Sequence, residues 1–119
     1  MLKNALAFVA VRDISSGVRW YRMVLGRDPD VQPMRGLAEW NFKGGGWLQV
    51  NENTRLAGRS SVTLVETDID ERMIMLAKAG IKPKSFVKGE RVSIITISDP
   101  DGNQVVFAHG KDENHRSTM

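Results

Sequence analysis

The chain repeats itself, and the repeat limits the folds open to it. "LAFVAVRDISSGVRWYRMVLG" (Leu6 to Gly26) and "SVTLVETDIDERMIMLAKAG" (Ser61 to Gly80) each pass from an apolar run through an Asp-Ile step into an amphipathic pattern that ends at glycine. An offset of 55 residues carries Asp13-Ile14 onto Asp68-Ile69 and Leu6 onto Ser61. Two similar supersecondary units are therefore expected.

Local signals fill in each unit. Val18, Tyr21 and Leu25 recur at helical spacing, with Ser15 or Ser16 as cap and Gly26 as terminator, and Met73, Leu76 and Ala77 do the same before Gly80. This predicts helices near residues 14 to 25 and 69 to 79. Each helix is followed by a hairpin: "LAEWNF" and "WLQVN" flank "KGGG", and "VSIITIS" and "NQVVFAH" flank "DPDG". A shorter strand precedes each hairpin, near Asp30 to Met34 and Lys84 to Val87. The expected architecture is α+β, a βαβββ unit written twice. The units span about residues 5–52 and 60–109 of a single domain over residues 1–119, with a polar tail from 110 to 119.

"VRDISSGVRWYRMVLG" in the first half, "VETDID" in the second and "DPDGNQVVF" near the end, taken with the repeat, resemble the glyoxalase/bleomycin-resistance/extradiol-dioxygenase superfamily, also called vicinal oxygen chelate proteins. The resemblance covers about Leu6 to His109. It implies that the two units curl into an open, cup-shaped mixed and antiparallel sheet with helices outside, and that the concave face holds ligand or metal. It also implies a homodimer, because family members complete their cups across a two-fold interface, often by exchanging units. The positions where metal-dependent relatives carry His, Glu or Gln ligands fall here on Leu6, Gln49, Ser61 and Val106. Leucine and valine offer no donor to a divalent cation, so the resemblance points to a member that has lost its metal site, and no metal or other cofactor is expected.

Strand alternation assigns the faces. If "KGGG" is a four-residue loop, Phe42 pairs with Trp47 and Trp40 with Gln49; if "DPDG" is one too, Ser98 pairs with Asn103 and Ile95 with Val106. Alternation does not say which face is concave; the resemblance implies that it is the one bearing Leu6, Gln49, Ser61 and Val106, so the cup face is expected to carry Leu6, Phe8, Ala10, Trp40, Phe42, Trp47, Gln49, Ser61, Thr63, Ile95, Ile97, Val106 and Ala108. Of these, Phe8, Trp40, Phe42, Trp47, Gln49, Ser61, Thr63, Ile95 and Val106 are the expected ligand-binding residues: Trp40 and Trp47 to stack on planar rings, Gln49, Ser61 and Thr63 to orient a polar group. Glu39, Glu52 and Glu66 fall on the other face. His109, three residues past Val106, also turns away, and His115 lies in the tail.

Composition removes other classes. The chain has 119 residues, 41% of them hydrophobic, enough for one core but not two. It has no cysteine, so there is no disulfide, thiol nucleophile or Cys-based zinc site, in keeping with a reducing cytoplasm. "ALAFVAV" is too short to span a membrane and reads as a buried strand. The net charge of +3 is spread widely apart from a loose group at Lys82, Lys84, Lys88 and Arg91, so no nucleic-acid or membrane partner is expected. Ser61 has no nearby histidine to activate it. "GGG" is not followed by the helix a phosphate loop needs, and "DPDG" lacks a calcium loop's ligand series.

Three functions remain. One is metal-free binding of a small, planar or aromatic, neutral or anionic molecule, sequestering a drug or metabolite. Another is an enzyme of the same superfamily, a lyase or isomerase, using Gln49 or an unidentified donor. The third is a structural or regulatory dimer with a filled cup. Bleomycin fits poorly, because a chain of pI near 9.5 repels a cationic ligand.

Overall fold

The computed structural model describes residues 1–110; the tail from 111 to 119, His115 included, lies outside the described residues, whereas Gly110 belongs to the last strand. The order of elements is β1 (Leu6–Val11), α1 (Ile14–Leu25), β2 (Val31–Met34), β3 (Leu37–Asn41), β4 (Trp47–Glu52), β5 (Ser61–Val65), α2 (Ile69–Lys78), β6 (Ser85–Lys88), β7 (Val92–Ser98) and β8 (Gln104–Gly110). This is βαβββ twice. Each unit makes one four-stranded sheet, ordered β1-β4-β3-β2 and β5-β8-β7-β6, with a parallel pair (β1 with β4, β5 with β8) beside antiparallel ones.

The helices start at the repeated aspartate and not at the serines. Asp13 is the N-cap of α1, its carboxylate accepting from the Ser16 backbone N–H at 2.9 Å and the Ser16 hydroxyl at 2.8 Å; Asp68 caps α2 through the Glu71 N–H at 3.0 Å. Asp13 and Asp68 accept from backbone the way Ser15 or Ser16 was expected to. α1 buries Val18, Tyr21 and Val24 against the first sheet, and α2 buries Ile69 and Leu76 in the same hydrophobic cluster. That cluster is continuous through both halves, with Val9, Trp40, Leu48 and Val50 from one sheet and Val62, Ile95, Ile97, Val105 and Phe107 from the other.

The hairpin registers differ from the four-residue expectation by one. Asn41 pairs with Trp47 and Trp40 with Leu48; Ser98 pairs with Gln104 and Ile95 with Phe107. Both turns close identically. The Phe42 N–H donates to Gly46 O and the Gly45 N–H to Phe42 O; Asp99 N–H donates to Asn103 O and Gly102 N–H to Asp99 O. Gly45 (φ 100°) and Gly102 (φ 99°) take the left-handed bulge position of a three-residue hairpin loop. Because side chains alternate with period two, a slip of one exchanges the faces of β3 and β7. Trp40, Ile95 and Ile97 thus lie on the helix side, fully buried, while Glu39 and Asn41 join the opposite face.

The two sheets meet at β1 and β5. The Ala10 N–H donates to Ser60 Oγ at 3.2 Å, and Asn103 Nδ2 donates to Ala10 O at 2.7 Å. Asn103 is wholly buried and also donates to Asp99 Oδ2 (2.7 Å) while accepting from the Ser60 N–H (2.9 Å). The Tyr21 hydroxyl donates to the same Asp99 oxygen at 2.8 Å, tying α1 to the second hairpin. Burial, then the adjacent Asp99 carboxylate, pushes the Tyr21 phenol far above its ordinary pKa, so it stays a donor. With the sheets edge to edge and the helices on one side, the molecule is a slab of 41 × 41 × 23 Å. The outer edges differ: β6 pairs regularly with β7, whereas β2 contains Pro33 and meets β3 only at Val31↔Glu39 and Met34↔Leu37, with an irregularity between. No helix is long and apolar enough to cross a membrane among the described residues.

Candidate functional site

Where Ala10 meets Ser60 the seam is closed; toward Leu6 and Thr67 it opens into a cleft of about 790 Å³. One wall is Ala5, Leu6, Ala7 and Trp47, the other Thr63, Leu64, Val65 and Thr67, and the turn carrying Phe42, Lys43, Gly44 and Gly46 completes the lining. The turn is tied down at both ends. Asn4 Nδ2 donates to Gly45 O, and Arg27, paired with Asp30 at 2.6 Å, donates to Asn41 O and sits 5.9 Å from the centre of the Phe42 ring.

The expected site residues divide into three groups. Phe42, Trp47 and Thr63 line the cleft, as does Leu6. Phe8, Gln49, Ser61 and Val106 lie on the helix-free face, since Phe8 pairs with Gln49 and Thr63 with Val106 in register with Leu6↔Trp47 and Ser61↔Gln104, but they stand outside the cleft. Trp40 and Ile95 do not belong to the face at all. Trp40 is sealed against Tyr21 (ring centres 6.3 Å apart) and its indole N–H donates to Arg27 O at 3.0 Å, which satisfies the one polar atom of a core tryptophan. The positive-φ glycine of each hairpin is the physical reason both residues are turned over.

The same slip brings a group to this face that alternation had placed elsewhere. Glu39, 7% exposed, stands opposite Gln49, whose Nε2 donates to its carboxylate at 2.5 Å. Beside it, Asn41 Oδ1 is buried with no partner among the described residues. A three-residue loop with a glycine bulge at "KGGG", in place of a four-residue loop, is the reading that finds both. Glu66 stays on the helix side, as expected, paired with Arg72 at 2.6 Å, and Arg72 in turn covers the Phe107 ring; His109 Nδ1 contacts Glu66 O at 2.8 Å.

The four positions that correspond to metal ligands do not fit a divalent cation. Leu6 and Val106 have no donor atom, Ser61 Oγ accepts from Gln104 Nε2 at 3.0 Å, and Gln49 is engaged with Glu39. Among the described residues no three His, Cys, Asp or Glu side chains cluster.

This duplicated fold, with its paired parallel and antiparallel strands, matches solved structures over almost its whole length. A glyoxalase/bleomycin resistance protein from Catenulispora acidiphila is 29% identical, with 91% of this chain and 98% of that one covered at a TM-score of 0.83. This likeness supports the glyoxalase/bleomycin-resistance (vicinal oxygen chelate) superfamily for the chain. Two other solved structures share the fold at lower identity. TnmS3, an antibiotic binding protein from a Streptomyces species, is 21% identical (93% and 98% covered, TM-score 0.78), and a lactoylglutathione lyase from Agrobacterium tumefaciens is 16% identical (92% and 94% covered, TM-score 0.76). No family model and no curated protein matches the chain. Solved structures that share this fold thus include both an antibiotic binding protein and a lyase.

Proposed function

We propose that this chain binds a small planar or aromatic molecule in the seam cleft and sequesters it without turnover or metal. The observation that carries the reading is the cleft itself. It has the volume of a small-molecule site, about 790 Å³, with the Trp47 and Phe42 rings at its turn and, among the described residues, no carboxylate, imidazole or thiol on its lining. Open space at this position favours binding over a cup filled by its own side chains.

The test is Trp47→Ala. Planar aromatic compounds are expected to quench the wild-type tryptophan fluorescence saturably. The substitution should weaken binding several-fold to about tenfold, the worth of one stacking contact, with little change in melting temperature. Absence of saturable quenching across a broad aromatic screen would sink the reading. Metal independence is checked by elemental analysis and by melting with and without chelator; a tight equimolar metal would overturn it.

The superfamily enzyme is the second reading, and Glu39 favours it. A carboxylate buried on the helix-free face beside Gln49 is a proton acceptor of the type a lyase or isomerase needs. It lies outside the cleft lining, which is why the binding reading is preferred. A homodimer accompanies either reading. Leu6, Phe8, Val65 and Ile94 are exposed apolar side chains on this one face, surface that a second copy would cover. Sedimentation giving only a 13.3 kDa species at micromolar concentration would remove the dimer.

A further inference from the structure

The polar groups on the cleft share one sign. Lys43 is the sole charged side chain on the lining, and among the described residues it takes part in no ion pair. Among the described residues the backbone N–H groups of Lys43, Gly44 and Gly46 donate to no acceptor, and Gly44 and Gly46 also line the cleft. With no Cβ, the two glycines leave those amides open to close approach, and nothing lies within 4 Å of where a Cβ would stand. The acids nearest the far wall are engaged elsewhere: Glu66 pairs with Arg72, and Asp68 caps α2. An ammonium group and amides left open beside aromatic rings, with no carboxylate on the lining among the described residues, match a flat apolar body bearing a negative charge.

We infer that the ligand of this cleft is an aromatic anion of the carboxylate class, its ring against Trp47 and Phe42 and its charge received by Lys43 and the glycine amides of the β3–β4 turn. The inference rests on the binding reading above and narrows it from any planar molecule to a charged one. A charge-assisted hydrogen bond at a partly exposed site is worth about tenfold in affinity over the neutral isostere.

The experiment is calorimetric titration of the whole chain with 2-naphthoate and with 2-naphthamide, which share a ring and differ in charge. Wild-type protein is expected to bind the carboxylate about tenfold more tightly, and added salt should weaken the carboxylate only. Lys43→Gln should bring the carboxylate down to the affinity of the amide and leave the amide unchanged, while Lys43→Arg restores the preference. Equal binding of both compounds to wild type, or a preference that survives Lys43→Gln, overturns the charge assignment while leaving aromatic binding intact. If neither compound binds wild type, the aromatic reading falls with it. Lys43 is exposed on a turn, and an unchanged melting temperature shows each variant to be folded.

Discussion

The two halves of the molecule are the same construction with different faces. On the helix side they correspond position by position. Trp40 precedes the last hairpin pair in one half as Ile97 does in the other, and both are fully buried. On the helix-free side the correspondence of strands persists but the chemistry does not. Leu6, Phe8, Trp47, Gln49 and Glu39 of the first half stand where Ser61, Thr63, Gln104, Val106 and Thr96 stand in the second. Side chains turned toward the helices are held to size and apolarity by packing, whereas those on the other face answer only to what they touch. Aromatic surface and the cation are concentrated in the first half, and the second supplies a plainer wall.

The largest effect expected from this contrast is on the shared core. Trp40→Ala should cost roughly 3–5 kcal/mol in denaturant unfolding, since it empties a sealed volume and strips the Arg27 carbonyl of its indole donor. A loss below about 1 kcal/mol would mean that Trp40 is not core and that the one-residue register is wrong. The joint between the halves comes next. Asn103→Ala removes the side chain that bridges Ala10, Ser60 and Asp99, and about 3 kcal/mol of destabilisation is expected, with the buried Ala10 carbonyl left without that donor. If the two halves were independent, the variant would instead melt in two steps.

On the open face the expected effects are on binding. Gln104→Ala, at the position equivalent to Trp47, should alter affinity for an aromatic ligand by less than about twofold, against the several-fold loss for Trp47→Ala. Equal losses would place the ligand symmetrically across both halves. The smallest effect concerns the repeated cap. Hydrogen bonds from the Ser16 backbone and hydroxyl hold the Asp13 carboxyl below its ordinary pKa. A depressed carboxylate stabilises the fold above its unfolded pKa, about 3.9, and loses that contribution as pH falls through the lower folded value. Asp13→Asn should therefore flatten the acid limb of the melting curve slightly; an unchanged limb would show that the cap is not titrating with folding.

Much of this was legible in the sequence, for reasons that also explain what was not. Asp13-Ile14 and Asp68-Ile69 mark helix starts because an N-cap is a local device, and Gly26 and Gly80 mark the ends in the same way. The faces of β1, β4, β5 and β8 follow simple alternation, which puts Leu6, Gln49, Ser61 and Val106 on one side. β3 and β7 were turned over because "KGGG" and "DPDG" do not state which glycine adopts positive φ, and a bulge of one residue reverses every side chain before it. That single ambiguity moved Trp40 and Ile95 out of the core and hid Glu39 and Asn41. The cleft was harder still: Lys43 and Thr67 share it only because β1 and β5 diverge, a matter of two edges more than 50 residues apart in the chain that no local pattern records.

The irregular strand β2 bears on how copies of the protein can join. Pro33 offers no amide hydrogen and the slip between Val31 and Met34 breaks the spacing of its neighbours, so this border of the slab is a poor template for another strand. The opposite border, β6, is regular. Head-to-tail strand addition would need both borders and would run on into an open fibre; with the β2 border blunted, that route to unlimited growth is closed.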